Sequence, residues 1–344
     1  MTENQQQKYN NPVSATLTGI RDLFRKQIPA GSLNPTDRLD GKTVLVDGAS
    51  SGLGFAVAAD LARRGAKVIM ACRSGIPEKG EKVKKLSGNP DIHMLQVDFS
   101  DIGTIRELVK EIKAKFAPLD ILVCNAGIVP KQSRKTKQGL EEMFMVNYFS
   151  KFIFVNLLLE NHCFTKAEPA FPDSTFDIQY SKFDPPRIIF VASESHRNPE
   201  KFQWEEFGKY KEYQIGKSIE LYGYYKLLLT TFSCELSRRL NPGVEIRYGV
   251  FSLCPGPVNS NIAREAPKIF IPLLKLVFGI FFKSPAKAAI PVVYMAASND
   301  FKGKKFDYLF LMSRKAVDQK ASDRENGNRL WELSEELRDS LKAV

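Results

Sequence analysis

Cysteine and histidine are scarce in this chain of 344 residues, which contains five cysteines and three histidines. The number of cysteines is odd, and no two of them form a CxxC pair. These absences disfavour a disulfide framework and a zinc site, and they favour a reducing, intracellular compartment. We therefore expect no metal site and reduced thiols at Cys72, Cys124, Cys163, Cys234 and Cys254.

A long uninterrupted apolar run is also missing. The most apolar stretch, residues 269–282, contains Pro272 and Lys275 and is shorter than the roughly 20 residues that span a bilayer. The opening residues, MTENQQQKYNN, lack the basic and then apolar layout of a secretory signal. We expect neither a transmembrane helix nor export.

One short apolar stripe near the start has basic neighbours. It consists of Val13, Leu17, Ile20 and Phe24, at the spacing of one helix face. Such a helix either lies on a membrane surface or packs on the main domain, and the sequence leaves both readings open. The expected location is therefore cytosolic or peripherally associated with a membrane.

Acidic residues are outnumbered by lysine and arginine, which leaves a net charge of +11. A basic chain favours anionic partners: phosphorylated cofactors, nucleic acid or acidic membrane surfaces. The basic run at residues 131–137 lacks the interleaved aromatic side chains typical of nucleic-acid binding. We expect a solvated loop there and no nucleic-acid partner.

Short β-branched runs alternate with amphipathic stretches from about Gly41 onward. This alternation predicts a Rossmann-type α/β fold, a doubly wound, mainly parallel seven-stranded sheet with helices on both faces. We expect an extension over residues 1–40 and a single domain over 41–344. Strands are predicted at 43–47, 67–72, 92–98, 120–124, 187–192, 245–253 and 306–311, helices at 54–64, 102–116, 140–160, 222–240 and 285–297, and a surface loop at 161–186.

A glycine-rich loop, DGASSGLG at residues 47–54, joins the first predicted strand to a helix. Glycines in such a loop let the backbone turn tightly and approach a pyrophosphate, whose charge then lies at the helix N-terminus. Glycines also occur in ordinary tight turns, but the position inside a βαβ unit favours a dinucleotide site. The predicted cofactor contacts here are Gly48, Ser50, Ser51, Gly52, Leu53 and Gly54.

The second predicted strand ends in Ala71-Cys72-Arg73-Ser74, without the carboxylate that usually binds the ribose of NAD. Arg73 can instead hold a 2′-phosphate through charge-assisted hydrogen bonds. We therefore predict NADPH or NADP+ in preference to NAD. The alternative is that Arg73 is only a solvated surface charge.

Tyr222 and Lys226 are four residues apart in a strongly apolar helical stretch, so they share one helix face. A nearby ammonium favours the phenolate, and we expect it to lower the pKa of Tyr222 towards neutrality. Tyr222 is then a candidate general acid or base. The alternative is a tyrosine that anchors a helix beside a solvated lysine.

Together these segments resemble the short-chain dehydrogenase/reductase family, in the expected order, over roughly residues 41–340. Further matching positions are Asp98 beside the adenine, the turn Asn125-Ala126-Gly127, Asn147, Ser193, and the segment with Pro255, Gly256, Val258 and Ser260. Within the family, ACR after the second strand, SESHR around the serine and RLWELSEELRD near the end are similar to the retinol dehydrogenase group and the WW-domain-containing oxidoreductase, without WW modules.

The resemblance implies a role for each catalytic candidate. Tyr222 donates a proton to the carbonyl oxygen while NADPH delivers hydride, and Lys226 tunes the tyrosine and binds the nicotinamide ribose. Ser193 stabilises the developing oxyanion, with Ser195 as the local competitor for that role. Asn147 holds a water that connects Lys226 to solvent.

Three positions depart from the family pattern. Asp47 replaces a threonine, so a hydroxyl contact between the first and fourth strands is lost or remade by a carboxylate, and we expect strain in the turn. Cys124 replaces an asparagine and is expected to be a small buried hydrophobe. Ser260 replaces a threonine whose hydroxyl reaches the nicotinamide amide.

The segment at residues 258–284 corresponds to the family's substrate lid and is rich in Ile, Leu and Phe. It predicts a lipophilic carbonyl or alcohol substrate, a retinoid, steroid or lipid aldehyde, or else it is an ordinary packed helix. The expected activity is an NADPH-dependent oxidoreductase of lipid metabolism. The alternative is an NADP(H)-binding regulatory or scaffold protein with little turnover. Relatives in the family are often dimers or tetramers, so a homo-oligomer is a further candidate.

Overall fold

The computed structural model describes residues 28–165, 184–258 and 283–341. Its centre is an eight-stranded sheet with the strand order β3-β2-β1-β4-β5-β6-β7-β8. The strands are β1 (Thr43–Asp47), β2 (Lys67–Cys72), β3 (Ile92–Gln96), β4 (Ile121–Cys124), β5 (Arg187–Val191), β6 (Gly249–Cys254), β7 (Phe306–Phe310) and β8 (Ser313–Arg314). The predicted doubly wound α/β class is confirmed.

The number of strands differs from the prediction of seven. All pairings from β3 to β7 are parallel, whereas β8 pairs with β7 in antiparallel fashion. The chain reverses through Leu311, whose φ of 58° is in the left-handed region that a leucine rarely adopts. Two residues are too few to give an alternating pattern, so β8 has no sequence signal.

Helices cover both faces of the sheet. They are α1 (Gly52–Arg63), α2 (Glu78–Ser87), α3 (Ile102–Lys115), α4 (Glu142–Glu160), α5 (Ile215–Leu240), α6 (Pro285–Ala297), the short α7 (Gln319–Ser322) and α8 (Arg324–Ser340). One apolar core contains residues of α3, α4 and α5, and the other contains residues of α1 and α6. The central strands β1, β4, β5 and β6 are therefore buried on both faces, as expected for parallel strands.

Helix α4 is long and apolar enough to cross a membrane, with a mean hydropathy of 1.3 over 19 residues, but 78% of that window is buried inside the fold. A core helix of a globular domain has the same composition. Within the part of the chain that the structure describes, we therefore assign α4 to the core.

Residues 28–40, which the sequence analysis placed in the extension, contact the domain. Leu39 is buried, and its backbone N–H donates to Arg64 O at 2.8 Å. Ala30 N donates to Met312 O, and the Arg64 guanidinium donates to the carbonyls of Asn34 and Asp37. The apolar stripe at residues 13–24, the apolar run at 269–282 and most of the predicted loop at 161–186 lie outside the described residues.

Candidate active site

The glycine loop occupies the carboxyl end of β1, where the strand order changes direction between β1 and β4. Open α/β sheets bind ligands at such a point. Gly48 and Gly52 have φ values of 62° and 57°. A Cβ at Gly54 would lie 2.5 Å from both Gly48 O and Asn125 Nδ2. These positions therefore require glycine, and the loop packs closely between α1 and β4.

The N-terminus of α1 fits a pyrophosphate. Ser51 is the N-cap residue, but its side chain makes no capping hydrogen bond, and the first turn contains no acidic residue. The helix N–H groups and the positive end of its dipole are thus left for an anionic ligand. Ser50 and Ser51 are partly exposed beside this end, whereas Leu53 is buried in the core below it. The residues present fit a dinucleotide.

Arg73 follows β2 at the same edge and is largely exposed. Its guanidinium lies 3.8 Å from the carboxylate of Asp98, with the arginine side chain 68% exposed. Asp98 also accepts hydrogen bonds from the N–H and the hydroxyl of Ser100. A weak, exposed ion pair of this kind leaves Arg73 able to exchange partners.

The cofactor-side turn, residues 125–128, follows β4 directly. Its first two N–H groups, of Asn125 and Ala126, donate to the same oxygen of Asp47, the former at 2.5 Å. The Asn125 amide in return donates to the carbonyls of Asp47 and Gly48 at 3.0 and 3.3 Å. The contact between β1 and β4 is therefore remade by the carboxylate.

The second oxygen of Asp47 has a partner that the sequence analysis missed. Lys151 Nζ lies 2.9 Å from it, and both side chains are buried, with 1% and 0% exposure. The ammonium also lies 4.1 Å from the centre of the Phe99 ring. The available signal was the position of Lys151, a lone cation four residues after Asn147 in an otherwise apolar run.

Asn147 holds the other end of the cofactor-side turn. Its side-chain oxygen accepts from Ile128 N at 2.8 Å, and its amide donates to Ile128 O at 2.9 Å. Asn147 lies in a π-helical turn of α4, Met145–Phe149, a rare geometry that is frequent at functional sites. Because the Asn147 side chain bonds both the N–H and the carbonyl of Ile128, it holds the turn in place.

Lys226 and Tyr222 meet this turn from α5. A Cβ at Gly127 would lie 3.4 Å from Asn147 Oδ1 and 3.8 Å from Lys226 Nζ. Lys226 Nζ donates to Val191 O at 2.7 Å and lies 5.6 Å from the centre of the Tyr222 ring. The structure therefore brings Asn147, Tyr222 and Lys226 together at the carboxyl ends of β4 and β5.

The serine-side turn, residues 193–197, follows β5 and faces Tyr222. The Ser193 side chain acts on the Tyr222 phenol, because it lowers the tyrosine pKa against the larger effect of burial. The Ser193 hydroxyl oxygen accepts from Ser195 Oγ at 2.9 Å and from Ser195 N at 3.2 Å. Gly223 allows this approach, because a Cβ there would lie 3.0 Å from Ser195 O. Ser193 is thus the serine next to the tyrosine, and Ser195 orients it.

His196 anchors the serine-side turn as a neutral ring. Burial, with the charge of Arg197, lowers its pKa to about 4. Its Nε2 accepts from Asp318 N at 3.2 Å, so Nδ1 carries the proton and donates to Ser193 O at 2.6 Å. The His196 ring therefore connects the backbone of Ser193 to the segment that precedes α7.

Glu194 adds a charged anchor. Its carboxylate accepts from Tyr308 at 2.8 Å, from Lys315 at 2.5 Å and from Arg197 at 3.1 Å. Burial opposes ionisation, but Arg197 and Lys315 hold the pKa of Glu194 below its usual value. The motif that contains Glu194 is recognisable in the sequence only by family resemblance. Its partners, Tyr308 in β7 and Lys315 beyond β8, follow no separate sequence pattern.

The ionisation of the Tyr222 and Lys226 pair differs from the expectation. Burial raises the pKa of Tyr222, and the Ser193 hydroxyl offsets this only in part. Burial, with the charge of Lys151, lowers the pKa of Lys226 to about 8. The prediction of a tyrosine pKa near neutrality was wrong for this structure, because loss of hydration outweighs the attraction of an ammonium that donates to a carbonyl.

Among the remaining predicted positions, Cys124 ends β4, and Pro255, Gly256 and Val258 follow β6. All five cysteines are free and buried, and burial raises the pKa of the Cys124 thiol. Gly256 has a φ of 81°, beside the buried Pro255, and Val258 forms an isolated bridge with Lys283. Ser260 lies outside the described residues. Within the described ranges, no cluster of three or more His, Cys, Asp or Glu side chains is arranged for a metal ion.

Comparison with known proteins identifies the class. The short chain dehydrogenase family profile matches residues 42–167. Retinol dehydrogenase 14 of Mus musculus is 32% identical over 318 residues, which cover 88% of each chain. Retinol dehydrogenase 13 of Homo sapiens is 31% identical over 344 residues, which cover 96% of this chain and 95% of that protein. The chain belongs to the short-chain dehydrogenase/reductase family of hydride-transfer oxidoreductases, and its resemblance to the retinol dehydrogenase group is confirmed.

Solved structures agree on the fold. A crystal structure of an uncharacterized protein from Mycobacterium paratuberculosis has a TM-score of 0.64 at 25% identity, covering 90% of this chain and 98% of that one. The RhlG/NADP active-site complex of Pseudomonas aeruginosa has a TM-score of 0.59 at 20% identity, covering 81% and 98%.

Proposed function

We propose that this protein is an NADP(H)-dependent oxidoreductase that transfers hydride between the nicotinamide and a lipophilic carbonyl or alcohol. The observation that carries the proposal is the convergence of Asn147, Ser193, Tyr222 and Lys226 beside the glycine loop. When bound, the nicotinamide supplies or accepts the hydride. The four side chains provide the groups that the carbonyl oxygen needs.

Tyr222 is the proton donor in this proposal. Because burial raises its pKa, the phenol is protonated near neutral pH and ready to protonate an oxyanion. Ser193, on the turn that faces Tyr222, donates to the same oxygen as charge develops there. Lys226 and a water held at Asn147 return a proton from solvent to Tyr222.

NADPH is the proposed cofactor, in preference to NADH. Support comes from Arg73, which is exposed at the end of β2 and paired only weakly with Asp98. A 2′-phosphate would attract this guanidinium more strongly than a single carboxylate 3.8 Å away. The RhlG complex, a structure with the same fold, contains NADP.

The proposed substrate is a retinoid, steroid or lipid aldehyde. Support comes from the relatives named retinol dehydrogenases and from the apolar sequence of residues 258–284.

We propose an intracellular protein, cytosolic or peripherally bound to a membrane, consistent with its five free thiols. A homo-oligomer and a single catalytic domain over residues 41–344 belong to the same proposal.

An absorbance assay of NADPH oxidation tests this function. Purified protein is given NADPH or NADH with retinal, steroid ketones and medium-chain aldehydes, and Tyr222→Phe is assayed in parallel. We expect turnover with NADPH that falls by at least about 100-fold in the variant, because a general acid contributes that much or more. Tight NADPH binding without turnover on any compound would favour the regulatory or scaffold alternative.

A further inference from the structure

Asp47 and Lys151 form a charged pair at the point where the glycine loop and the cofactor-side turn meet. One Asp47 oxygen accepts from the N–H groups of Asn125 and Ala126, and the other lies 2.9 Å from Lys151 Nζ. Both side chains are almost completely buried. Among the described residues, Lys151 has no other acidic group in ion-pair contact.

The pair is connected to both cofactor-binding segments. Asp47 is the last residue of β1 and precedes Gly48, whose carbonyl accepts from the Asn125 amide. Lys151 lies on α4 one helical turn after Asn147, which fixes Ile128 at the other end of the cofactor-side turn. A displacement of Asp47 would therefore move the glycine loop and the turn relative to each other.

A buried ion pair is a costly way to make this connection. A neutral hydroxyl at residue 47 would bind the same N–H groups without removing two charges from water. The carboxylate is a stronger acceptor, and it stays in place only if a counter-charge accompanies it into the core. Lys151 supplies that charge.

We propose that Asp47 and Lys151 are positioning residues for the dinucleotide: Lys151 holds the Asp47 carboxylate, which holds the cofactor-side turn against the glycine loop. This inference rests on the proposed NADP(H) site but names a requirement particular to this chain. Neither residue touches the reacting atoms. Their effect is on the geometry of cofactor binding.

The test is a double-substitution cycle with Asp47→Thr, Lys151→Met and the combination of both. Each single change leaves one buried charge without its partner, whereas the combination leaves a neutral site in which the threonine hydroxyl reaches the turn. The measurements are NADPH affinity by calorimetric titration and hydrogen exchange of residues 121–128 in the ligand-free protein. The matched control is Glu235→Gln.

Glu235 suits the control because it is also a buried acid in ion pairs, with Arg238 and Arg239. It lies on α5 on the order of 14 Å beyond Lys226 along the helix. Its loss lowers stability without touching the cofactor site. A variant that changes only overall stability therefore behaves like Glu235→Gln in both measurements.

We expect each single variant at residues 47 and 151 to weaken NADPH binding by about tenfold or more and to speed exchange at residues 121–128. The combined variant should recover to within about threefold of the natural protein. The proposal is overturned if the single variants bind NADPH within about threefold of the natural protein while losing stability as Glu235→Gln does.

Two further outcomes are informative. The first is that the single variants do not fold. In that case a combined variant that folds and binds NADPH with near-natural affinity supports the proposal. A combined variant that is unfolded, or that binds NADPH at least about tenfold more weakly, overturns it. If the natural protein does not bind NADPH, the proposed function fails. The exchange of residues 121–128 then still decides whether the pair holds the turn.

Discussion

Two turns flank Tyr222, the proposed proton donor, and they are held in different ways. The cofactor-side turn depends on one carboxylate and one ammonium, both almost fully buried. The serine-side turn depends on several contacts: a neutral His196 between Ser193 and Asp318, and a Glu194 that binds three partners. A single substitution at the cofactor-side turn should therefore lower stability strongly, whereas a single substitution at the serine-side turn should lower it only slightly.

The difference follows from burial. A charge inside the core has no water to replace a lost partner, so breaking a buried pair leaves the full desolvation cost of the other charge. Glu194, Arg197 and Lys315 have side-chain exposures of 18%, 14% and 32%, so water and the remaining partners can compensate. We therefore expect the two turns to differ in their tolerance to mutation.

The largest expected effect is on the buried pair. Lys151→Met should lower the free energy of unfolding by about 3–5 kcal/mol, because Asp47 remains buried without a counter-charge. Lys315→Met, the matched change at the serine-side turn, should cost at most about 1 kcal/mol. Urea denaturation followed by circular dichroism measures both. Equal losses in the two variants would contradict the comparison.

Ser193→Ala should give the next largest effect. It should slow turnover and leave folding almost unchanged. We expect kcat to fall by about 10²–10³-fold, the usual result of removing one donor to a developing oxyanion. Ser195→Ala removes only the side-chain hydrogen bond to Ser193 and should reduce kcat by less than about tenfold. Steady-state kinetics on the substrate identified by the panel distinguishes them. A larger loss in Ser195→Ala would assign the catalytic role to Ser195.

His196 should make stability depend on pH. Its pKa is about 4 in the folded protein, against about 6.5 in an unfolded chain, so the unfolded state binds more protons between these values. The contribution of neutral His196 to the free energy of unfolding is fully present above pH 6.5 and is lost as the pH falls towards 4. From pH 6.5 to 5 the loss should be about 2 kcal/mol.

His196→Asn provides the control for that pH dependence, because its amide can still donate to Ser193 O and does not titrate in this range. Urea denaturation at pH 7 and pH 5 should show a smaller difference between the two pH values for the variant than for the natural protein. Identical pH dependence in both would show that His196 is not the group responsible.

The smallest expected effect is at Cys124, the last residue of β4. Cys124→Ala should lower the free energy of unfolding by about 1 kcal/mol and change NADPH affinity by less than about twofold, because a buried thiol contributes mainly packing. Calorimetric titration checks the affinity. A tenfold change would show that the thiol itself, and not Asp47, holds the cofactor-side turn.

The sequence predicts most of the fold because strand and helix patterns are local. The bounds of β1, β2 and α6 are as predicted. Helix α2, EKGEKVKKLS, was missed because its sequence is polar on nearly every face and has only Val83 and Gly80 buried. Helix α8 was seen only as a family resemblance.

In the candidate site, too, local patterns are predictable from the sequence and contacts between distant residues are not. Its glycine loop follows the end of β1, and its tyrosine and lysine share one face of helix α5, so local patterns place them. The departure at Asp47 was visible in the sequence, but its partner Lys151 is far along the chain and becomes its neighbour only when α4 packs beneath β1 and β4. Likewise, the lowered pKa of Lys226 depends on burial and on Lys151, which no spacing rule contains.

Transfer of deuterium from the cofactor would show whether this protein catalyses the proposed hydride transfer. The protein is incubated with NADPH that carries deuterium at both positions of nicotinamide C4, together with retinal or the best carbonyl of the panel, and the alcohol is analysed by mass spectrometry. We expect an alcohol one mass unit heavier from the natural protein and almost none from Tyr222→Phe. Unlabelled alcohol, or equal label from both proteins, would contradict it.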